Sequence, residues 1–151
     1  MNKAVNETMF EHAWRYFEKH SDQRVSFFNF YILIMAASST ALSIILQNEK
    51  LYYLGILLGL FIIITSYIFW KIDQRTAFLI KNSERVLKNI EENYEPKYHI
   101  FNIEEFELNK INEKNNYFFK YKTYGELFRI IYGFIASIGL ISTIYFIIRI
   151  I

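Results

Sequence analysis

Three stretches without a single charged residue, 25–46, 51–70 and 130–148, set the pattern of this chain. A helix rises ~1.5 Å per residue and a hydrocarbon core is roughly 30 Å thick, so each stretch is long enough to cross a bilayer. A buried helix in a soluble domain rarely needs so long an uncharged run, and here it occurs three times. Only residues 47–50 separate the first two stretches, which predicts a tight antiparallel hairpin. Tyr52, Tyr53, Trp70 and Tyr145 fall at the edges, where amphipathic rings favour the headgroup level.

Outside these stretches the periodicity becomes amphipathic. Thr8 and Glu11 have the spacing of a capping box, and Phe10, Ala13, Trp14 and Phe17 then share a face opposite Glu11, Arg15, Glu18 and Lys19. This predicts a helix running to about His20, packed on a neighbour or lying at the bilayer surface. After Trp70, residues Ile72, Thr76, Leu79, Ser83, Val86 and Leu87, Ile90 and Tyr94 mark one face at spacings of four and three. The second span is therefore expected to continue as one long helix, ending near Pro96 and suited to helix pairing. The polar, Asn-rich stretch 97–122 holds one short helical candidate at 103–109. Residues 115–124 mix aromatics with Lys as an interfacial anchor would, and Thr123 with Glu126 forms a second capping box that launches the third span.

The predicted fold is an all-α membrane protein: three transmembrane helices, an N-terminal amphipathic helix and a cytoplasmic helical extension of the second span. Its parts are 1–24 (cytoplasmic amphipathic helix), 25–70 (transmembrane hairpin), 71–127 (cytoplasmic helical segment) and 128–151 (third transmembrane helix). The 24 residues before the first span carry Glu7, Glu11, Glu18 and Asp22, unlike a short basic leader, and with Met1 at the start no leader is expected to have been removed.

Charge orients the spans. The N-terminal segment has four basic residues (Lys3, Arg15, Lys19, Arg24), the hairpin loop only Lys50, the 71–127 segment ten, and the C-terminal end only Arg149. The positive-inside rule then predicts a cytoplasmic N-terminus and middle segment, with the hairpin loop and C-terminus outside. A net charge of +2 is too small to indicate duplex nucleic-acid binding, and the absence of Cys removes disulfides and thiolate metal sites.

Candidate chemistry is sparse. Arg15 and His20 match the Arg-x4-His spacing of HEPN ribonucleases, in which Arg and His of two subunits meet at a groove to cleave RNA, so they are the catalytic candidates of a membrane-bound nuclease reading. His12, His20 and His99 lack tight ligand spacing, and there is neither a glycine-rich phosphate loop nor a nucleophile elbow; no metal or cofactor is expected.

The spans are more informative. Ser26, Asn29, Leu33, Ala36, Thr40, Ser43 and Gln47 lie on one mostly small or polar face of the first span. Asn29 is costly against lipid and should face protein or water. One chain with three spans cannot enclose a pore, so a pore lined by Asn29, Thr40 and Ser43 requires a homo-oligomer. Gly55 and Gly59 on the second span, and Gly133 and Ser137 on the third with Gly139 nearby, have the four-residue spacing that lets helix backbones approach. The triplet Asp22-Gln23-Arg24 precedes the first span and recurs as Asp73-Gln74-Arg75 after the second. In an antiparallel hairpin Asp22 is expected near Arg75 and Arg24 near Asp73, as ion pairs that fasten the hairpin base or gate an opening.

His20-x-x-Gln23-Arg24 followed by Phe28-Asn29-Phe30, then Asp73-x-Arg75-x-x-x-Leu79-Ile80-x-x-x-Glu84, resembles small bacterial membrane proteins of anti-phage loci over roughly residues 10–90. These include the membrane accessory protein of type VI CRISPR systems, the membrane effector of the Hailong system and retron-associated effectors. The resemblance implies an oligomeric pore that depolarises the inner membrane once infection is sensed, triggered by an operon-encoded sensor protein or a nucleotide or oligonucleotide signal. The alternatives are a non-conducting anchor or adaptor that recruits a partner enzyme, and the HEPN-like nuclease.

Overall fold

The computed structural model describes residues 3–115 and 120–151 and, among them, contains helices and no strand. The order is α1 (Lys3–Leu46), α2 (Tyr52–Glu91), α3 (Ile100–Lys114) and α4 (Tyr124–Ile150), with 3-10 turns at Glu49–Leu51 and Pro96–Tyr98. Three helices are long and apolar enough to cross a membrane, as the uncharged stretches predict. The anchor expected at 115–124 falls partly on residues 116–119, outside the described ones. The first helix begins at Lys3, earlier than the Thr8 capping box suggests, because nothing between Lys3 and Thr8 breaks a helix. The second capping box does mark a start: α4 begins directly after Thr123 with Glu126 in its first turn.

The chain divides into two compact units, Met1–Arg24 with Arg75–Thr123, and Val25–Gln74 with Tyr124–Ile151. In the first, Thr76, Ser83 and Leu87 of the expected α2 stripe are buried, joined by Ile80 and by Ala13 of α1. The helix expected at 103–109 is the longer α3, and its N-terminus explains the extension. The first amides of a helix lack intrahelical partners. Here the Glu91 carboxylate accepts from the backbone N–H of Ile100 (2.9 Å), Phe101 (3.0 Å) and Asn102 (3.1 Å). The Asn102 side chain donates in turn to the Lys88 carbonyl at 3.2 Å. Phe101 meets Phe17 edge-on at 5.5 Å and Trp14 at 6.5 Å, which ties α3 to α1 as well as to α2.

The second unit is built on one apolar cluster drawn from three helices: Tyr31, Met35, Leu42 and Ile45 of α1, Tyr52 and Ile62 of α2, Tyr132 and Phe146 of α4. Phe28 stacks on Phe128 at 4.0 Å, and Tyr31 meets Tyr132 edge-on at 4.8 Å. Three of the buried hydroxyls are satisfied locally: Ser38, Ser66 and Thr143 each donate to the carbonyl four residues back on the same helix. Ser66 also meets the buried Tyr31 hydroxyl at 2.9 Å. Because Ser66 keeps its bond to the Ile62 carbonyl, Tyr31→Phe is expected to lower the unit's stability by only about 1 kcal/mol in a detergent melt. A much larger loss would mean that the hydroxyl pair organises the cluster.

Glycine brings α2 and α4 together. A Cβ at Gly59 would meet Thr143 Oγ1 and lie 2.9 Å from the Gly139 carbonyl oxygen; a Cβ at Gly139 would lie 2.9 Å from the Gly59 carbonyl oxygen. Phe146 lies against Gly55. Gly133 is different: nothing lies within 4 Å of a Cβ built there, and Ser137, one turn on, is exposed and donates to the Gly133 carbonyl. Within the protomer the close approach uses Gly139; Gly133 and Ser137 lie on the open side of α4.

Candidate functional site

Along the membrane part of α1, burial alternates cleanly with helical period. Tyr31, Met35, Ser38, Leu42 and Ile45 are buried against α2 and α4. Ser26, Asn29, Leu33, Ala36, Thr40, Ser43 and Gln47 are all exposed. The whole small and polar face therefore points away from the protomer's own core. Large aromatic and aliphatic side chains, from Phe28 to Ile45, make up the opposite, inward face, whose burial removes apolar area from water or lipid.

The polar atoms of this face differ in what they require. Thr40 Oγ1 donates to the Ala36 carbonyl at 3.1 Å and Ser43 Oγ to the Ser39 carbonyl at 3.0 Å, so their hydroxyl protons are satisfied within α1. Asn29 makes no side-chain hydrogen bond among the described residues. Its amide carries two donors and an acceptor, and an unpaired amide in hydrocarbon costs several kcal/mol by transfer scales.

At the other end of the charged motifs, the Asp73 side chain is 1% exposed and lies 3.6 Å from Nε of Arg129 on α4. This partner was not foreseen, although Arg129 stands immediately before the third uncharged stretch and its position was the available signal. Asp22 and Arg75 belong to the other unit and make no ion pair with each other among the described residues. Arg24 and Asp73 belong to different units, and their pairing stays a proposal. At the C-terminal end of α4, the Tyr145 hydroxyl accepts from Arg149 Nε at 3.2 Å.

The nuclease candidates are separated on one helix. Arg15 is 79% exposed and pairs with Glu11 at 3.6 Å, whereas the His20 ring bonds Gln23 at 3.1 Å and meets Tyr16 edge-on at 4.3 Å. Five residues apart, they differ by about 140° around the helix and share no face. Among the described residues no group of three or more His, Asp or Glu is placed to hold a metal ion.

A chain whose three hydrophobic helices leave one polar face outward needs other copies to cover it. Residues 7–149 match the octameric membrane protein family. The chain belongs to that family. Membership makes it a membrane protein and a homo-oligomer, so the exposed face of α1 and the open side of α4 belong to a subunit, not to a free-standing protein. Among curated relatives, CD-NTase-associated protein 19 of Escherichia coli is 37% identical over 136 residues, covering 89% of this chain and 87% of the relative. No solved structure matches.

Proposed function

We propose that eight copies of this chain form a ring in the bacterial inner membrane, with the Asn29, Thr40 and Ser43 face of α1 lining a central opening, and that the ring permeabilises the membrane in anti-phage defence. The observation that carries this reading is the exposure of every position of that face while the other side of α1 is buried. In a ring of eight, the Asn29 amides stand at one level and find water or each other, which removes the cost of facing lipid. The basic balance favours a cytoplasmic N-terminus and an external C-terminus. The name of the relative favours a CD-NTase-linked, CBASS-type setting, and hence a nucleotide signal over a protein sensor as the trigger.

The test is depolarisation and dye uptake in cells that express the chain with its activating partner. Asn29→Leu and Thr40→Leu are expected to reduce both severalfold at equal expression, because each replaces a polar pore position with a larger apolar one. Unchanged dye uptake in both variants would remove the pore-face assignment.

A non-conducting adaptor is the second reading, favoured by large apolar side chains exposed outside the uncharged stretches: Phe78 (62%), Ile100 (71%) and Phe106 (68%). It predicts the reverse pattern, in which Phe78→Ser abolishes function and the α1 variants leave it unchanged.

A further inference from the structure

The exposed face of α2 differs in kind from that of α1. Tyr53, Leu57, Phe61, Ile64, Tyr67 and Ile68 are between 47% and 69% exposed and follow one another at helical spacing. None is small and none carries an amide or carboxylate, so this face suits acyl chains better than a pore or a close helix contact. It ends on a polar cluster. Lys71 Nζ lies 4.9 Å from the Trp70 ring centroid and 5.7 Å from that of Tyr67, and donates to Gln74 Oε1 at 3.3 Å. The Trp70 and Tyr67 rings are themselves 6.0 Å apart.

The cluster is built and incompletely used. Trp70 packs on the apolar core of its unit, which fixes the indole, yet its ring N–H donates to no protein atom among the described residues. An ammonium has three N–H bonds, and Gln74 takes one. Arg149 gives the contrast: it also sits over a tyrosine ring, at 5.4 Å, but the Tyr145 hydroxyl closes that pair internally.

We propose that Tyr67, Trp70 and Lys71 form a headgroup site for one anionic glycerophospholipid on the outward face of α2. The Lys71 ammonium, desolvated on one side by the aromatic rings, binds the phosphate. The Trp70 N–H reaches the ester carbonyl, and the acyl chains lie along Ile64, Phe61 and Leu57. Charge selects an anionic lipid: the acid nearest in sequence, Asp73, is buried and paired with Arg129, so a zwitterionic headgroup's ammonium finds no carboxylate on this face. The site makes α2 a lipid-facing helix of the assembly. It does not depend on conduction.

The chain has only two tryptophans, Trp14 and Trp70, so Trp14→Phe leaves Trp70 as the sole reporter. The full-length Trp14→Phe protein is placed in phosphatidylcholine vesicles containing either brominated phosphatidylglycerol or brominated phosphatidylcholine, and indole quenching is measured. The expected relative affinity favours phosphatidylglycerol roughly fivefold, the size of one cation's attraction to a charged headgroup layer. Lys71→Gln is expected to bring the ratio to about one and Lys71→Arg to keep it, with equal assembly size in all three. A ratio of one in the parent, or a preference that survives Lys71→Gln, overturns the proposal. So does the absence of quenching by either lipid, which would mean that another subunit covers α2. Loss of the preference on adding soluble glycerol phosphate would overturn it in favour of a free-phosphate site.

Discussion

Gly59→Val is expected to lower the stability of the membrane unit by about 3 kcal/mol or more, the upper end of what overpacking costs. The reason is that the added atoms meet backbone, which has little room to yield. A Cβ at Gly59 collides with Thr143 Oγ1 and sits 2.9 Å from the Gly139 carbonyl oxygen, so α4 must move away as a body. That movement also uncovers Phe146, which is 1% exposed and packed over Gly55 one turn away. A denaturant or thermal titration in detergent, followed by helix content, reads the loss. Gly133→Val supplies the control, because nothing lies within 4 Å of its Cβ. It should leave the protomer's stability unchanged and act, if at all, on the size of the oligomer. Equal destabilisation by the two substitutions would mean that the α2–α4 contact is not as close as described.

Glu91→Ala is expected to release α3. One carboxylate receives the N–H groups of three successive residues, Ile100, Phe101 and Asn102, and no other side chain among the described residues caps that end. Loss of a strong N-terminal cap costs up to about 2 kcal/mol, which corresponds to roughly thirtyfold faster amide exchange for the element that opens. Hydrogen exchange over Ile100–Lys114 should show this increase, with exchange in the membrane helices unaltered. Glu91→Gln keeps one acceptor oxygen and should fall between the two. Unchanged exchange in Glu91→Ala would show that the contacts of Phe101 with Trp14 and Phe17 hold α3 by themselves.

The polar face of α1 was legible because helical spacing alone groups Ser26, Asn29, Thr40 and Ser43. Which glycines meet was not legible. Gly55, Gly59, Gly133 and Ser137 have equivalent spacing in sequence, yet α4 turns Gly139 and Thr143 toward Gly59 and leaves Gly133 open. Tyr132 and Phe146 are the rings of α4 that enter the core, and Gly139 and Thr143 lie on the same buried face. The Arg129 contact of Asp73 was not legible either: the echo of the two Asp-Gln-Arg triplets gave no sign of it, and the packing of α4 beside α2 brings Arg129 to 3.6 Å.

Sequence by itself determined that this protein crosses a membrane with three helices. Run length and absence of charge decide that directly, since no water in the bilayer interior can satisfy an unfolded backbone. It also placed the start of α4 directly after Thr123, and the end of α2 near Pro96, about a turn and a half beyond its last residue, Glu91. Only the tertiary structure decided which face of each helix is inward, which glycine pair forms the crossing, and that Glu91 caps a helix nine residues further along the chain. These depend on the joint packing of several helices, and the best joint solution is a property of the assembled side chains that no single helix carries in its own period.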